Sequence, residues 1–238
     1  MFPLPANIPL RHELKFFISE MQYHILSRQL DHVLWRDPNG DENNEYHIRS
    51  LYFDTAFNDA YFDKLDGVHN RNNYRIRIYN LSDAVIKLEC KTKVGSLISK
   101  RSLTIPRDLC DQLIAGDPTG LEHTRSGLLG DMFREMTCGL LRPVVIVDYV
   151  REAYLHPAEE VRITFDKQLR TGMRSTDLFN PHVPTISPFD NNEIILEVKY
   201  NRVMPPYIRD LLCTYCPSAV QSAISKYTWC RRFEGMEA

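Results

Sequence analysis

Charged and apolar residues alternate along several stretches of this chain, and most of the charges are basic. The clearest stretches are residues 75–77 (RIR) and 87–93 (KLECKTK), with shorter versions at residues 11–15 (RHELK) and 197–199 (EVK). On a β-strand, residues two apart point to the same face of the sheet. Each stretch is therefore predicted to be a strand with one charged and one apolar face. If the sheet closes with its charged faces inward, its interior is a cationic tube containing a few carboxylates.

A charged strand face more commonly faces solvent, with the apolar face in the core. Three observations favour the inward alternative here: the faces are strongly cationic, they recur on several strands, and two of them are predicted to be neighbours. Arg75 and Arg77 would then lie beside the Lys87–Lys93 face, which places like charges opposite one another and destabilises a sheet. An anionic ligand would offset this repulsion.

The bulk composition narrows the class of protein. The formal net charge is −2 over 238 residues, so no general basic field favours nucleic-acid binding. Residues 71–101, however, contain eight basic residues and only two acidic ones, so positive charge is concentrated in this part of the chain. No secretion leader or membrane-spanning apolar run is evident, which predicts a cytoplasmic protein. A single CxxC motif at residues 213–216 has no second pair to complete a zinc site.

The predicted fold class is α+β, with about eight mostly antiparallel strands and helices inserted or appended. Residues 1–9 are predicted to be an N-terminal arm and residues 10–238 a single domain. Ser19 is expected to cap a helix that runs to about Trp35, with Gln22 completing a capping box. A tight turn is predicted at residues 82–83, and a terminal helix over residues 219–231.

Arginine and lysine are the natural phosphate ligands, because arginine offers a planar fork of donors and lysine a mobile point charge. Glu13, Glu89 and Glu197 occur within the alternating stretches and offer carboxylate oxygens. A hard cation such as Mg²⁺ or Mn²⁺ binds few carboxylates and completes its shell with phosphate oxygens and water. The pattern therefore indicates a site for a triphosphate or another polyanion together with a divalent metal.

Nine segments of the chain form a recognisable series. They begin at residues 11 (RHELKFF), 49 (RSLYFDT), 73 (NYRIRIYN), 86 (IKLECKTK), 99 (SKRSL), 147 (VDYVREAY), 161 (VRITFD), 195 (ILEVKY) and 225 (SKY). In order and spacing, these segments resemble the VTC domain, the polyphosphate polymerase module of the vacuolar transporter chaperone complex. This domain belongs to the CYTH, or triphosphate tunnel metalloenzyme, superfamily. The resemblance implies an antiparallel β-barrel tunnel with inward-pointing basic residues and helices packed outside.

The resemblance also implies roles for individual residues. Glu197 resembles the metal-binding glutamate, with Glu13 and Glu89 as further metal ligands or as salt-bridge partners inside the tunnel. Arg49 is implied either to bind phosphate or to brace the tunnel entrance, and Lys87 and Lys93 are additional phosphate ligands. The residues implied to act on the reacting phosphates are Arg75, Arg77, Lys91, Lys199 and Glu197. The residues implied to complete the phosphate path are Lys15, Lys100, Arg151, Arg162 and Lys226.

The first strand departs from the superfamily pattern, because Arg11 stands where the first of two glutamates is usual. This resembles the VTC branch more than the hydrolytic branch, since a lost carboxylate weakens water activation. The resemblance thus implies a polyphosphate polymerase that uses ATP or another triphosphate, with Mn²⁺ or Mg²⁺ as cofactor. Polyphosphate and pyrophosphate are the other implied ligands, nucleic acid is not, and a membrane partner would be a separate chain. The alternatives are a tunnel triphosphatase or nucleoside triphosphatase, and a non-catalytic polyphosphate-binding module.

Overall fold

The structure is a computed structural model that describes residues 10–95, 97–124, 126–156, 160–190, 192–217 and 219–235. The arm predicted at residues 1–9 lies outside these ranges. Among the helices in these ranges, none combines the length and apolar character needed to cross a bilayer.

A single antiparallel sheet dominates the described part of the chain. Its path runs β1-β9-β8-β7-β3-β4-β5-β6, and a short strand, β2, pairs with β7 beside that path. The strands are β1 (His12–Ile18), β2 (Trp35–Arg36), β3 (Glu45–Asp54), β4 (Asn70–Tyr79), β5 (Ser82–Val94), β6 (Leu97–Thr104), β7 (Arg142–Leu155), β8 (Arg162–Thr171) and β9 (Ile194–Tyr200).

The two edges of the sheet curl round until they meet. The backbone N–H of Arg11 donates to the carbonyl of Ile98 at 3.0 Å, and the N–H of Ile98 donates back at 3.2 Å. The edges are thus joined at a residue pair rather than by a continuous ladder. This arrangement confirms the predicted α+β class with an antiparallel, tunnel-like sheet.

Helices cover the outside of the curled sheet. The apolar residues of the strands pack against these helices, which identifies the apolar face of each strand as the outer face. Ile76 and Leu88 on neighbouring strands are fully buried against α3 and α4, while Phe165 and Val198 are fully buried in the cluster that contains residues of α1 and α5. Since the apolar faces point outward, the charged faces must point inward. The helices are α1 (Glu20–Leu30), α2 (Asp59–Leu65), α3 (Arg107–Ile114), α4 (Gly127–Cys138), α5 (Pro206–Tyr215) and α6 (Lys226–Phe233).

A third apolar cluster lies on the cavity side of β3 and β7. Tyr61 of α2 and Tyr227 of α6 are buried there together with Tyr52 and Val145. Tyr227 also donates a hydrogen bond to the buried carboxylate of Asp54. These contacts bring α2 and α6 against the interior of the sheet, so both helices contribute residues to it.

The predicted first helix begins where the sequence indicates, but it ends early. Ser19 and Gln22 form the expected reciprocal capping box. The helix stops at Leu30 rather than near Trp35, because Trp35 and Arg36 pair with β7 as β2. Sheet pairing has therefore overridden the local helical pattern.

Two other predicted boundaries are also corrected. The β4–β5 turn lies at Asn80 and Leu81, which both have positive φ, rather than at residues 82–83. The terminal helix begins at Lys226 rather than near residue 219. The preceding segment instead pairs with β1 through an isolated bridge between Gln221 and Phe16, and the Ser225 side chain then caps the helix.

Candidate functional site

A cavity of about 740 Å³ lies inside the curled sheet, and its wall is predominantly basic. The alternation seen in the sequence explains this, since every second residue of β1, β4, β5 and β9 points inward. The cavity-lining residues that the sequence analysis assigned to a site are Glu13, Lys15, Arg75, Arg77, Lys91, Lys93, Lys100, Arg151, Arg162, Glu197, Lys199 and Lys226.

Glu13 and Glu197 are the two assigned carboxylates that line the cavity, and they alternate with lysines across β1 and β9. Lys199 lies opposite Glu13, and Lys15 lies opposite Glu197. The Lys15 ammonium is 3.1 Å from a Glu13 oxygen and 3.7 Å from a Glu197 oxygen, so it bridges the two carboxylates. Lys91 reaches Glu13 from β5 at 2.7 Å, and Lys199 contacts Glu197 directly.

These contacts keep both carboxylates ionised. Burial alone would raise the pKa of Glu197, but Lys199, Lys15 and Lys226 outweigh it and hold the pKa well below its usual range. The pKa of Glu13 is lowered in the same way by neighbouring lysines. Lys91 is one of the lysines paired with Glu13. Burial lowers the pKa of its ammonium group to about 7, although the negative charge of Glu13 acts in the opposite direction.

Glu89 does not line the cavity but lies behind its basic wall. It is 1% exposed and accepts hydrogen bonds from Arg75 at 2.8 Å and from Lys100 at 2.7 Å. The Arg75 guanidinium also donates to the Tyr52 hydroxyl at 2.8 Å. Glu89 is thus paired with two of the cavity cations in the ligand-free protein.

The like-charge repulsion expected between β4 and β5 is present at only one of the two arginine positions. Arg75 faces Glu89, so opposite charges meet at this position, whereas Arg77 faces Lys87. The Arg77 guanidinium donates to the Ser50 hydroxyl at 3.2 Å and to the Tyr149 hydroxyl at 3.1 Å, and one of its nitrogens is 3.7 Å from Glu89. Hydroxyl groups thus hold Arg77 in place.

A further buried carboxylate, Asp166 on β8, was missed by the sequence analysis. It accepts two hydrogen bonds from Arg151, at 2.6 and 2.8 Å, and its other contact is the Lys226 ammonium at 2.5 Å. Burial would raise the pKa of Asp166, but these cations outweigh it and lower the pKa to about 2. The sequence contained one signal for Asp166: it lies two and four residues after Thr164 and Arg162, on the same face of one strand.

Arg162 is likewise held by a partner that the sequence analysis did not assign. It donates to Asp37 at 2.6 Å and to the Tyr46 hydroxyl at 2.8 Å. Asp37 lies in the polar stretch after β2, and nothing in the local sequence distinguishes it from its acidic neighbours.

Arg49 and Lys87 are placed differently from their predicted positions. Arg49 is buried outside the cavity, where it contacts Asp148 at 2.8 Å and donates to the carbonyl of Asn180 at 2.6 Å. Lys87 donates to the hydroxyl of Thr104, its direct neighbour on β6, at 2.6 Å. Neither residue is among those that line the cavity, so a direct phosphate contact there is expected of neither, while bracing of the wall by Arg49 stays a prediction.

The positions of the carboxylates show whether the cavity could bind the divalent metal that the resemblance implies. Within the described residues, no three or more His, Cys, Asp or Glu side chains come together as a metal site. Glu13 and Glu197 nevertheless share the contact with Lys15 in the cavity. Because Mg²⁺ and Mn²⁺ bind through one or two carboxylates plus phosphate oxygens and water, this donor set fits a metal that arrives with a phosphate ligand.

Comparison with known proteins adds a family and a fold. The family model of the VTC domain matches residues 10–233. None of the curated protein sequences compared with this chain matches it.

Two solved structures share the fold at low sequence identity. A candidate adenylate cyclase from Bacillus halodurans has a TM-score of 0.53 and 15% identity, over 89% of this chain and 94% of its own. The PH1819 protein from Pyrococcus horikoshii has a TM-score of 0.51 and 13% identity, over 93% of this chain and 98% of its own. These likenesses establish the architecture around the cavity.

Proposed function

The chain belongs to the VTC domain family, and from this premise we propose that it is a metal-dependent polyphosphate polymerase. It would transfer the γ-phosphoryl group of ATP to the end of a polyphosphate chain inside the cavity. The observation that carries the proposal is the basic wall of the cavity inside the curled sheet, in which two carboxylates lie among the lysines.

The proposed reaction needs no protein nucleophile, because the attacking group is a terminal phosphate oxygen of the acceptor. A bond forms between that oxygen and the γ-phosphorus, and the bond from the γ-phosphorus to the β–γ bridging oxygen breaks to release ADP. The protein contributes position and charge neutralisation, which account for most of the catalysis in phosphoryl transfer. Arg75, Arg77, Lys91 and Lys199 would hold the triphosphate. The rest of the phosphate path would be formed by Lys15, Lys93, Lys100, Arg151, Arg162 and Lys226.

Glu13 and Glu197 are the residues that would hold Mn²⁺ or Mg²⁺. When bound, such an ion neutralises charge on the phosphate oxygens. Both carboxylates are fixed on adjacent strands, so they would bind it in a constant orientation. Lys15 and Lys199, which pair with these carboxylates here, are placed to turn to incoming phosphate.

In the ligand-free protein, neither Glu13 nor Glu197 has the pKa of a general base that a triphosphatase would use. A triphosphatase would need a carboxylate that accepts a proton from water. The pKa of Glu13 and that of Glu197 are both held far below neutral by neighbouring lysines. A base with so low a pKa is a poor proton acceptor at neutral pH, whereas an ionised phosphate acceptor requires no base.

The direct test is product analysis with purified protein, ATP, Mn²⁺ and a trace of pyrophosphate as primer. We expect a ladder of polyphosphate chains on a stained polyacrylamide gel. Release of inorganic phosphate without a ladder would replace the proposal with a triphosphatase. Binding of polyphosphate without any turnover would identify a binding module instead.

Lys91→Ala is expected to weaken triphosphate binding by about 1.5–3 kcal/mol, the range for one hydrogen bond to a charged group. Lys91 lines the cavity and lies between β4 and β6, where Lys100 is its direct neighbour. Isothermal titration calorimetry with tripolyphosphate measures the effect. Lys87→Ala is the matched control, because this lysine is on the same strand but outside the cavity. Equal losses in both variants would contradict a specific role for Lys91.

A further inference from the structure

Three basic residues lie together on the cavity wall, and the proposed reaction assigns them no common role. Lys64 projects from α2, Arg71 from β4 and Lys93 from β5, and all three line the cavity. We call them the α2 cluster. Arg71 and Lys93 lie directly opposite one another on adjacent strands. Lys64 is close enough to both for their positive charges to lower the pKa of its ammonium group.

The α2 cluster differs from the other cavity cations because it lacks a carboxylate partner. Arg75, Lys91 and Arg151 each contact a buried carboxylate. Arg71 instead donates to the carbonyl of Val68 at 2.6 Å. In the described part of the chain, Lys64 and Lys93 make no hydrogen bond or ion pair.

This arrangement is electrostatically unfavourable without a ligand. Like charges directly opposite on adjacent strands destabilise a sheet. Burial, followed by the charges of Arg71, Lys15 and Lys93, lowers the pKa of Lys64 to about 8. Asp63 of the same helix is the acid that acts on Arg71, but from beyond ion-pair distance. An anion bound among the three cations would relieve this repulsion.

We propose that the α2 cluster is a second oxyanion subsite, which binds phosphate groups of an inorganic polyphosphate chain beyond those held at Arg75 and Arg77. This inference rests on the proposed function and adds Lys64 and Arg71, which that proposal leaves without a role, to the residues that bind the polyphosphate chain. Lys93 was assigned to the phosphate path above, whereas Lys64 and Arg71 were given no role.

The geometry of β4 explains why a chain is required. Arg71 precedes Arg75 by four residues, which is roughly 13 Å along an antiparallel strand. Arg71, Asn73, Arg75 and Arg77 all line the cavity, so one strand face presents donors along this whole length. A triphosphate centred between Arg75 and Arg77 extends along only part of the face. A longer chain reaches the α2 cluster as well.

The test compares two ligands in one double variant, Lys64→Gln with Arg71→Gln, the two members of the cluster that have no role in the proposed reaction. We expect affinity for long-chain polyphosphate to fall about tenfold or more, as the loss of charge-assisted contacts implies, while affinity for tripolyphosphate changes less than about twofold. Both are measured by calorimetry at one fixed salt concentration. The control, Arg28→Gln with Arg209→Gln, removes the same net charge from the exposed outer surface and is expected to leave both affinities unchanged.

The thermal midpoint of the ligand-free protein provides a second measurement. Because the double variant removes like-charge repulsion, its midpoint should equal or exceed that of the wild type, which separates a lost subsite from a damaged fold. Equal losses for both ligands would assign the cluster to the triphosphate site and overturn the inference. Unchanged affinities would overturn it too, with the proposed function intact. A wild-type protein that binds neither ligand would overturn the proposed function itself.

Discussion

Glu197→Gln is expected to abolish metal-dependent turnover, with a loss of about a hundredfold or more. Glu197 is 4% exposed and lies on β9 beside the cavity. Glutamine keeps the shape of the side chain but removes the negative charge that a divalent cation requires. The measurement is the rate of polyphosphate formation over a series of Mn²⁺ concentrations.

The same substitution should leave metal-free binding of triphosphate unchanged or make it tighter. Glu197 contacts Lys199 directly and lies within 4 Å of Lys15 and Lys226. Its neutralisation frees these cations and removes a charge that repels phosphate. A purely structural role would instead weaken binding and turnover together. Glu20→Gln, on the exposed surface of α1, is the control. Full metal-dependent turnover in Glu197→Gln would eliminate this residue as a metal ligand.

The basic lining of the cavity could be predicted from sequence because the period of a β-strand is two. Once Ile76 and Ile78 are taken as the outer face of β4, Arg75 and Arg77 must point the other way. The same logic places Lys91 and Lys199 inside. It requires only clean alternation, which these short stretches have.

Arg49 shows where this logic stops. Its strand, β3, is buried on both faces along most of its length, so hydrophobicity does not distinguish inside from outside. Ile48 lines the cavity, while Leu51 packs in the outer core. Only the three-dimensional register with β7, where Arg49 lies opposite Asp148, fixes its direction. Such pairing between strands far apart in sequence leaves no local signature.

Which cations the counter-charges contact, and where α2 packs, could not be predicted for a related reason. Asp37 and Asp166 reach their cations through tertiary contacts that span 125 and 15 residues, respectively. The sequence analysis expected a short helix or irregular turn near Lys64, but gave no sign that it folds against the interior. Its position depends on Tyr61 and Tyr227, which are buried in the same cluster.

Asp166→Asn is expected to destabilise the ligand-free protein by about 3–5 kcal/mol, the usual cost of leaving buried charges without their partner. Asp166 is 1% exposed and pairs with both Arg151 and Lys226, so its neutralisation affects two buried cations. Urea unfolding at neutral pH measures the loss. Asp210→Asn, whose exposed carboxylate is 3.5 Å from Arg209, should cost less than about 1 kcal/mol.

The wild type and Asp166→Asn should also respond differently to acid. The pKa of Asp166 is about 2 in the folded protein and about 4 in an unfolded chain. A carboxyl group with a lowered folded pKa binds protons more readily when unfolded, so its stabilising effect is complete above about pH 4. This contribution, about 2–3 kcal/mol, declines as the pH falls from about 4 towards 2, and the variant lacks it. Parallel pH profiles for the two proteins would contradict the pairing.

Polyphosphate should stabilise Asp166→Asn more than it stabilises the wild type. In the variant, Arg151 and Lys226 keep their places on the cavity wall but lose their shared counter-charge. A bound phosphate chain can supply that charge, and a ligand that binds only the folded state raises its stability by an amount that grows with the logarithm of the ligand concentration divided by Kd. If added polyphosphate raises the stability of both proteins equally, these two cations do not contact the chain. A larger gain in the variant would place Arg151 and Lys226 on the phosphate path, where Asp166 is their shared partner in the ligand-free protein.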